Sequence, residues 1–457
     1  MKFGLNLKKT AVIFLLAAML GGCVLRETEA LVSPAVPEVT REMPEIAEET
    51  EVSLPETEML TAEVPVAEPE PAAGIVPGEE PATVSEPVAE VVPEVVQKVV
   101  PEVIPEPEPE TEPETEAETP GQVRERRISE ELAQMTAREK LGQMFMPAYS
   151  GAAASQLTEY AFGSFILFAA DFETETADSL SAKMADLQKA AKYGLLTAVD
   201  EEGGTVTRIS RFAQYRTEKF KSPRTLYSWG GMDLIRSDAA EKADLLRSLG
   251  MNLNMAPVAD ISVNESDFMY WRSVGLDAEG TAEFVRTVIA ESKARGVGSV
   301  VKHFPGYGSV ADTHTGMAYD ARTLEELRNS DLVPFRAAVE DGAEAIMVSH
   351  IITAAIDAEK PASMSAKTVA LLRDELGYDG IIMTDDLAMA GITDCCTTGN
   401  AALEAILAGC DMLCCSNWDV QYPAVWQAVE NGVITEERLD ESAARILRVK
   451  YDMGLWQ

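Results

Sequence analysis

From residue 128 onward the sequence alternates between short apolar runs and helical patterns of about ten to twenty residues. Such alternation is typical of βα units that surround a parallel sheet. Eight apolar runs occur, and eight parallel strands close a TIM-type (β/α)8 barrel. A doubly wound open sheet is the main alternative, but it would have edge strands and an early Gly-rich phosphate-binding turn, which the sequence lacks. We therefore predict an α/β barrel with strands at residues 142–146, 163–168, 195–199, 253–258, 299–303, 345–349, 380–384 and 411–415.

The part of the chain that precedes the predicted barrel has a composition typical of disordered segments. Residues 26–118 contain 26 Glu and three basic residues, interleaved with Pro, Val, Ala and Thr, and no Asp or aromatic residue. Such a segment cannot bury enough apolar surface to fold. We predict a disordered, acidic Pro/Glu-rich tether at residues 24–127 and a barrel domain at residues 128–457. Most of the net charge of -38 lies in the tether, so it says little about a substrate, and nucleic acid is an unsuitable partner.

The first 23 residues have the features of an export signal. Lysines precede a short apolar run at residues 11–20, which is too short to span a membrane. The run ends in Leu20-Gly21-Gly22-Cys23, which resembles a bacterial lipobox, in which the cysteine becomes the lipidated first residue of the mature protein. We expect residues 1–23 to be a lipoprotein signal peptide, and Cys23 to anchor the exported chain to the outer face of a bacterial membrane.

Five further cysteines lie late in the chain, without the paired spacing of a zinc site. Buried thiols are the simplest interpretation. A bridge within an adjacent Cys-Cys pair is geometrically awkward, whereas a disulfide from the first pair to the second is compatible with an exported protein. The sequence leaves both states open for Cys395, Cys396, Cys410, Cys414 and Cys415.

Polar residues directly follow several of the predicted strands. Catalytic groups of a TIM-type barrel collect at the carboxyl ends of its strands, which lie on one face. We therefore expect these residues to share one site. They are Asp200-Glu201-Glu202 after the third run, Lys302 and His303 at the end of the fifth, His350 after the sixth, and Asp385-Asp386 after the seventh.

Asp385 is well placed to act as a nucleophile. It follows the apolar run 380–384, so a rigid strand would aim its carboxylate at the site, whereas Asp386 beside it would point differently. Cleavage of a glycosidic bond with retention needs such a carboxylate, together with a proton donor for the leaving oxygen.

For the proton donor the sequence offers Asp312-Thr313-His314, after the fifth strand. Histidine titrates near neutral pH, so it can give a proton and then retrieve it. A carboxylate two residues away can orient the imidazole and raise its basicity. His350 and Glu202 are the next candidates for this role.

The chain carries several polar motifs in a fixed order. Three of them are Lys302-His303-Phe304-Pro305-Gly306-Tyr307-Gly308, then Asp312-Thr313-His314, then Thr384-Asp385-Asp386-Leu387-Ala388-Met389; residues 200–208, 252–260 and 272–275 hold three more. Together they resemble glycoside hydrolase family 3 and, more narrowly, its single-barrel β-N-acetylhexosaminidases. The likeness runs from about residue 128 to the end of the sequence.

The resemblance implies a retaining, exo-acting enzyme that releases terminal β-linked N-acetylglucosamine from peptidoglycan-type cell-wall glycans. It implies a covalent glycosyl-enzyme on Asp385, with His314 as acid and then base and Asp312 as its partner. The implied reaction requires no metal and no organic cofactor. The residues that would hold the sugar are Asp200, Arg208, Arg272, Lys302 and His303.

Three positions depart from the family pattern. Tyr307 stands where a second histidine is usual, Thr205 where an arginine is common, and Val274 where a phenylalanine is usual. None of these changes removes a catalytic group. They bear on the detail of the substrate pocket, and the change at Tyr307 bears on how the loop that carries His314 folds over the site.

Three other functions stay open at this point. A β-glucosidase of the same family usually takes its acid/base from a second domain, whereas the 72 residues after Asp385 are enough only to finish a barrel. A glycoside phosphorylase would use phosphate in place of water. A non-catalytic wall-binding lipoprotein would suit the tether, but intact Asp385, Asp312 and His314 argue against it.

Overall fold

The computed structural model describes residues 118–310, 312–313, 318–389, 392 and 396–456. The predicted signal peptide, with Cys23, and most of the predicted tether lie outside these residues. The strands are β1 (Phe145–Met146), β2 (Ser164–Leu167), β3 (Leu196–Val199), β4 (Leu253–Asn254), β5 (Gly298–Phe304), β6 (Ala318–Asp320), β7 (Ala345–Val348), β8 (Ile351–Thr353), β9 (Ile381–Thr384) and β10 (Leu413–Cys414).

Helices alternate with these strands along the chain. A 3-10 turn (Ala362–Met364) and a π-helical turn (Leu371–Glu375) flank the tenth of them. The α-helices are α1 (Pro120–Leu132), α2 (Ala137–Met144), α3 (Ala153–Tyr160), α4 (Ala169–Glu173), α5 (Ala177–Ala190), α6 (Pro223–Ser248), α7 (Ala278–Ala294), α8 (Leu324–Asn329), α9 (Leu332–Glu340), α10 (Ala366–Ala370), α11 (Ala401–Ala408), α12 (Trp418–Glu430) and α13 (Glu436–Asp452).

Six of the strands form one parallel sheet in the order β2-β3-β4-β5-β7-β9, and β1–β10 and β6–β8 form two parallel pairs. Isolated parallel bridges join Ala148 to Ile166 and Met383 to Met412. The strands of the main sheet follow one another in chain order, without the reversal that defines a doubly wound sheet. The prediction of an α/β fold around a parallel sheet is confirmed.

Each of the eight predicted apolar runs overlaps one strand, but the first prediction is wrong in extent. Residues 142–144 belong to α2, because Thr136 caps this helix and Glu139 completes the capping box. Leu141 and Met144 then recur at helical spacing on its buried side. The pair β6–β8, near the carboxyl ends of β5 and β7, was not predicted.

The core lies between the sheet and the helices around it. All residues of β2, β3, β7 and β9 are buried, as is usual for parallel strands that are covered on both faces. Helix α7 contributes Val285 and Ile289, at helical spacing, to the same apolar cluster. Burial of one such side chain stabilises a fold by about 1.5–3 kcal/mol.

Helix α1 packs against the C-terminal helix α13. Arg124 lies 2.8 Å from Asp452, and Glu125 lies 2.9 Å from Arg448. Ile128 is buried in the same interface. Because α1 begins at Pro120, the predicted boundary between residues 127 and 128 falls inside a helix that belongs to the folded part. The division of the rest of the chain stays a prediction.

Helix α13 also carries a buried amine. Lys450 is fully buried, and its Nζ donates to Gln143 Oε1 at 2.6 Å and to the main-chain oxygen of Gly194 at 3.0 Å. Burial lowers the pKa of Lys450 to about 7. Between this pKa and the ordinary value of 10.5, the unfolded chain binds more protons than the folded chain. Stability should therefore rise with pH over this interval, and the full cost of burial is present below pH 7.

We expect the variant Lys450→Met to remove this pH dependence. The difference in unfolding free energy, variant minus wild type, should fall by about 2 kcal/mol between pH 7 and pH 9, because each pKa unit corresponds to about 1.4 kcal/mol. Thermal unfolding of both proteins across this range measures the effect, with the exposed Lys189→Met as control. A pH-independent difference would mean that Lys450 titrates outside this window.

Candidate active site

The carboxyl ends of β3, β5 and β9 bring together residues that are distant in the sequence. Asp200 follows β3, Lys302 and His303 lie in β5, and Asp385 follows β9. Lys302 Nζ lies 2.6 Å from Asp200 Oδ1. The structure thus places these four predicted site residues at one edge of the sheet.

Asp385 lies at this charged edge, directly after β9. Its main-chain N–H donates to the oxygen of Val348 at 3.1 Å, and its Oδ1 accepts from the N–H of Asp386 at 2.8 Å. Burial opposes the ionisation of Asp385. Attraction to His350, His303 and Lys302, together with the hydrogen bond from the Asp386 N–H, outweighs burial and lowers the pKa of Asp385. A carboxylate that stays ionised is suited to nucleophilic attack.

Asp386 has a different orientation, as predicted. Its carboxylate accepts from the N–H of Ser416 at 3.0 Å and also from the Ser416 hydroxyl. His350 holds the same turn, because its Nε2 donates to the main-chain oxygen of Asp386 at 3.1 Å. Its Nδ1 lies 2.8 Å from Ser363 Oγ. These contacts give Asp386 and His350 the role of fixing the turn that carries Asp385.

Glu202 anchors two of the predicted sugar-binding cations. Arg272 reaches both of its oxygens, with Nη2 at 2.7 Å from Oε1 and Nε at 2.9 Å from Oε2. Lys302 Nζ lies 2.8 Å from the same Oε1. Burial opposes the charge of Glu202, but Arg272 and Lys302 dominate and hold its pKa well below the ordinary value. A carboxylate this acidic cannot serve as a proton donor, so Glu202 is not a substitute for His314.

His303 is oriented by a buried carboxylate. Its Nδ1 lies 2.7 Å from Asp260 Oδ2, and its Nε2 lies 3.3 Å from Arg272 Nη2. The other oxygen of Asp260 accepts from the N–H of Tyr307 at 2.8 Å. An N–H at Nδ1 that points to Asp260 leaves Nε2 as an acceptor, and its one lone pair accepts from Arg272.

Arg208 stands at the rim of the site. It is half-buried, and its Nη2 lies 3.7 Å from Asp200 Oδ2. The loop that carries it is held by Glu201, which accepts from the N–H of Arg208 at 2.9 Å and of Ile209 at 2.7 Å. The guanidinium therefore projects from a rigid turn beside Asp200.

The predicted acid/base segment is only partly described. Asp312 is half-buried and Thr313 is buried, whereas His314 lies outside the described residues. The Thr313 hydroxyl lies 2.5 Å from the Tyr307 hydroxyl. The pairing of Asp312 with His314 therefore stays a prediction.

This chain matches the family model for the glycosyl hydrolase family 3 N-terminal domain over residues 136–449. The chain belongs to glycosyl hydrolase family 3. The resemblance predicted from the motifs is confirmed, and family 3 membership supports the predicted enzyme class, a glycoside hydrolase.

Several proteins of family 3 are similar to this chain. A Cellulomonas fimi protein named beta-N-acetylglucosaminidase/beta-glucosidase is 32% identical over 345 residues, which cover 71% of this chain and 59% of that protein. A beta-hexosaminidase from Methylococcus capsulatus is 32% identical over 295 residues, 64% of this chain and 86% of that protein. A solved family 3 β-N-acetylglucosaminidase from a Paenibacillus species, at 32% identity, has a TM-score of 0.65 and covers 70% of this chain and 63% of that chain. This chain thus spans less than two thirds of the first and third of these relatives.

Two residues of this family 3 site were not given a role from the sequence. Glu202 was considered only as a reserve proton donor, and it binds Arg272 and Lys302 instead. Asp260 orients His303. The signal that could have found Asp260 is its position after β4, where an acidic residue ends an otherwise apolar segment.

Three of the later cysteines of this family 3 chain are buried thiols. They are Cys410, Cys414 and Cys415, whereas Cys396 is half-buried and Cys395 lies outside the described residues. Burial raises the pKa of the Cys410 thiol to about 12. The predicted buried thiols are thus present at these three positions.

Metal-binding clusters and membrane-spanning helices are two features that concern the described part of the chain. Within it, no cluster of three or more His, Cys, Asp or Glu side chains could hold a metal ion. No helix within it is long and apolar enough to cross a membrane.

Proposed function

We propose that this chain is a retaining, exo-acting β-N-acetylglucosaminidase. The observation that carries this proposal is the half-buried, ionised carboxylate of Asp385, which lies near His350, His303 and Lys302 at the carboxyl end of β9. The names of the relatives from Cellulomonas fimi, Methylococcus capsulatus and Paenibacillus support N-acetylglucosamine as the sugar.

The proposed reaction has two steps. In the first, an Asp385 oxygen forms a bond to the anomeric carbon while the glycosidic bond breaks, and His314 gives its proton to the leaving oxygen. In the second, a water molecule attacks the anomeric carbon, its proton passes to His314, and the ester bond to Asp385 breaks. Asp312 stabilises the imidazolium form of His314.

The proposed sugar-binding residues are set in position before a ligand arrives. Lys302 is held between Asp200 and Glu202, and Arg272 is held on Glu202 by two hydrogen bonds. His303 is held by Asp260. Charged and directional partners of this kind bind sugar hydroxyls without a cost of ordering. Arg208 would contact the ligand from the rim.

We also propose that the strands close into a complete (β/α)8 barrel. The pairing of β1 with β10 and the bridges from Ala148 to Ile166 and from Met383 to Met412 support closure, since they connect both ends of the six-stranded sheet to that pair. Closure would place Asp200, Lys302 and Asp385 around one mouth.

Initial rates on two aryl glycosides test the proposed activity. The aryl β-N-acetylglucosaminide should be cleaved at least tenfold faster than the aryl β-glucoside, and mass spectrometry should detect a glycosyl-enzyme on the peptide that contains Asp385. The name of the Cellulomonas fimi relative favours β-glucosidase as the second candidate, which the opposite ratio would indicate. Sugar 1-phosphate formed in phosphate buffer would indicate a phosphorylase, and no turnover of either substrate a binding protein.

The natural substrate that we propose is a peptidoglycan-type glycan reached from a membrane anchor. Release of N-acetylglucosamine from purified muropeptides tests the substrate.

A tether of about one hundred residues at ~3.1 Å per residue could reach about 300 Å. Incorporation of labelled palmitate into the wild type, and its loss in Cys23→Ser, tests the anchor; equal labelling of both proteins would exclude it.

A further inference from the structure

Tyr307, the residue that departs from the family pattern, is buried and held on three sides. Its exposed fraction is 1%. Its ring packs edge-on against His303, with centroids 5.3 Å apart, and lies 5.6 Å from the ring of Phe268. Its N–H donates to Asp260, the same carboxylate that orients His303. The contacts with His303 and with its partner Asp260 therefore fix the position of the Tyr307 hydroxyl.

The hydroxyl of Tyr307 reaches the segment that carries the proposed acid/base partner. It lies 2.5 Å from the Thr313 hydroxyl, and Thr313 has an exposed fraction of only 1%. Thr313 directly follows Asp312. A hydrogen bond between two buried hydroxyls has few competing water molecules, so it constrains the main chain on either side of Thr313.

The start of the same loop is also fixed to the fold. A Cβ at Gly306 would lie 2.2 Å from Asp331 Oδ1, and one at Gly308 would lie 2.6 Å from Arg322 Nη2. Arg322 in turn pairs with Asp331. The turn after β5 therefore lies directly on the ion pair between the half-buried Arg322 and the buried Asp331, and Tyr307 between these two glycines has little freedom to move.

We propose that Tyr307 is a positioning residue, whose hydroxyl holds Thr313 and thereby sets the place of Asp312 relative to the sugar bound at His303. This inference rests on the proposed function, because it assigns Tyr307 to the protonation of the leaving group. In this arrangement the Tyr307–Thr313 bond links sugar binding to proton transfer. Its loss impairs the transfer of the proton while the sugar-binding contacts of His303 and Lys302 stay in place.

The test compares two near-isosteric variants on two substrates. Tyr307→Phe and Thr313→Val each remove one hydroxyl and preserve most of the packing. Each should lower kcat about tenfold on N,N'-diacetylchitobiose, whose leaving group is a sugar alcohol, because a hydrogen bond of this kind is worth about one factor of ten. On an activated aryl β-N-acetylglucosaminide, kcat/KM, which reports on formation of the glycosyl-enzyme alone, should change less than about twofold, since a phenol leaves without much protonation. On the disaccharide, KM should change little.

Further variants separate positioning from general loss of structure. Thr313→Ser keeps a hydroxyl and should restore most of the rate that Thr313→Val loses. The double variant Tyr307→Phe/Thr313→Val should be no slower than either single variant, because both break the same bond. Tyr319→Phe is the matched control, since Tyr319 is an exposed tyrosine on β6, and it should behave as wild type.

The proposal is wrong if Tyr307→Phe lowers kcat/KM equally on both substrates, if its main effect on the disaccharide is on KM, or if the two single variants have additive effects. Failure of the proposed function looks different. In that case the wild-type protein cleaves neither substrate, or cleaves the aryl β-glucoside in preference.

Discussion

Asp385→Asn is expected to abolish turnover while the protein stays folded. The amide can form no glycosyl ester and carries no charge to meet the developing oxocarbenium ion. Loss of a nucleophile in a covalent mechanism costs a factor on the order of 10⁴–10⁶ in kcat. The change is nearly isosteric, so the unfolding midpoint should move little.

Kinetics on the aryl β-N-acetylglucosaminide, together with thermal unfolding, measure both effects. Asp379→Asn is a suitable control, because Asp379 precedes the same strand at its other end and is mostly exposed. A variant Asp385→Asn that keeps a tenth of the wild-type kcat would remove Asp385 from the role of nucleophile. Since the pKa of Asp385 is lowered, its protonation should not limit kcat/KM above about pH 4.

Glu202→Gln is expected to have the largest effect on stability. It leaves the buried Lys302 and the mostly buried Arg272 without the carboxylate that both of them contact, and Lys302 keeps a second carboxylate partner, Asp200 at 2.6 Å. Breaking a buried ion pair from one side costs about 3–5 kcal/mol, because the remaining charge, here that of Arg272, is uncompensated. Activity should fall as well, since Arg272 loses the two contacts that orient its guanidinium.

Denaturant unfolding at several pH values measures this effect. The pKa of Glu202 is lowered in the folded state, so its contribution is complete above the ordinary value of 4.5 and is lost as pH falls below it. The difference in unfolding free energy between wild type and variant should therefore become smaller at acid pH. Glu340→Gln is the matched control, because Glu340 pairs with Arg286 at 2.6 Å while both side chains are largely exposed. Equal destabilisation by the two variants would contradict a special role for Glu202.

The sequence predicted the strands that carry the site because each is a short apolar run followed directly by a polar residue. The run at residues 142–146 shows where this signal fails, since a short apolar run fits the end of a buried helix equally well. The strands β6 and β8 are three residues long, which is too short for an alternation to be recognised. Their pairing depends on the position of the loops after β5 and β7.

Within the site, residue types could be predicted and partnerships could not. Asp200, Lys302, His303 and Asp385 follow from their places at strand ends. The pairing of Glu202 with Arg272 spans 70 residues, and that of Asp260 with His303 spans 43. Such contacts exist only once neighbouring strands are in register, and no local pattern records them.

The buried Glu201 has a consequence for protein engineering. Its N–H donates to Asn254 Oδ1 at 3.1 Å, and its carboxylate accepts from the main chain of residues 208–210. The loop after β3 and the end of β4 therefore form one mechanical unit. A chimera that transplants residues 200–210 from a relative should include the residue at position 254 from the same donor, because a mismatched residue there would leave the main-chain N–H and C=O of Glu201 buried without their partners.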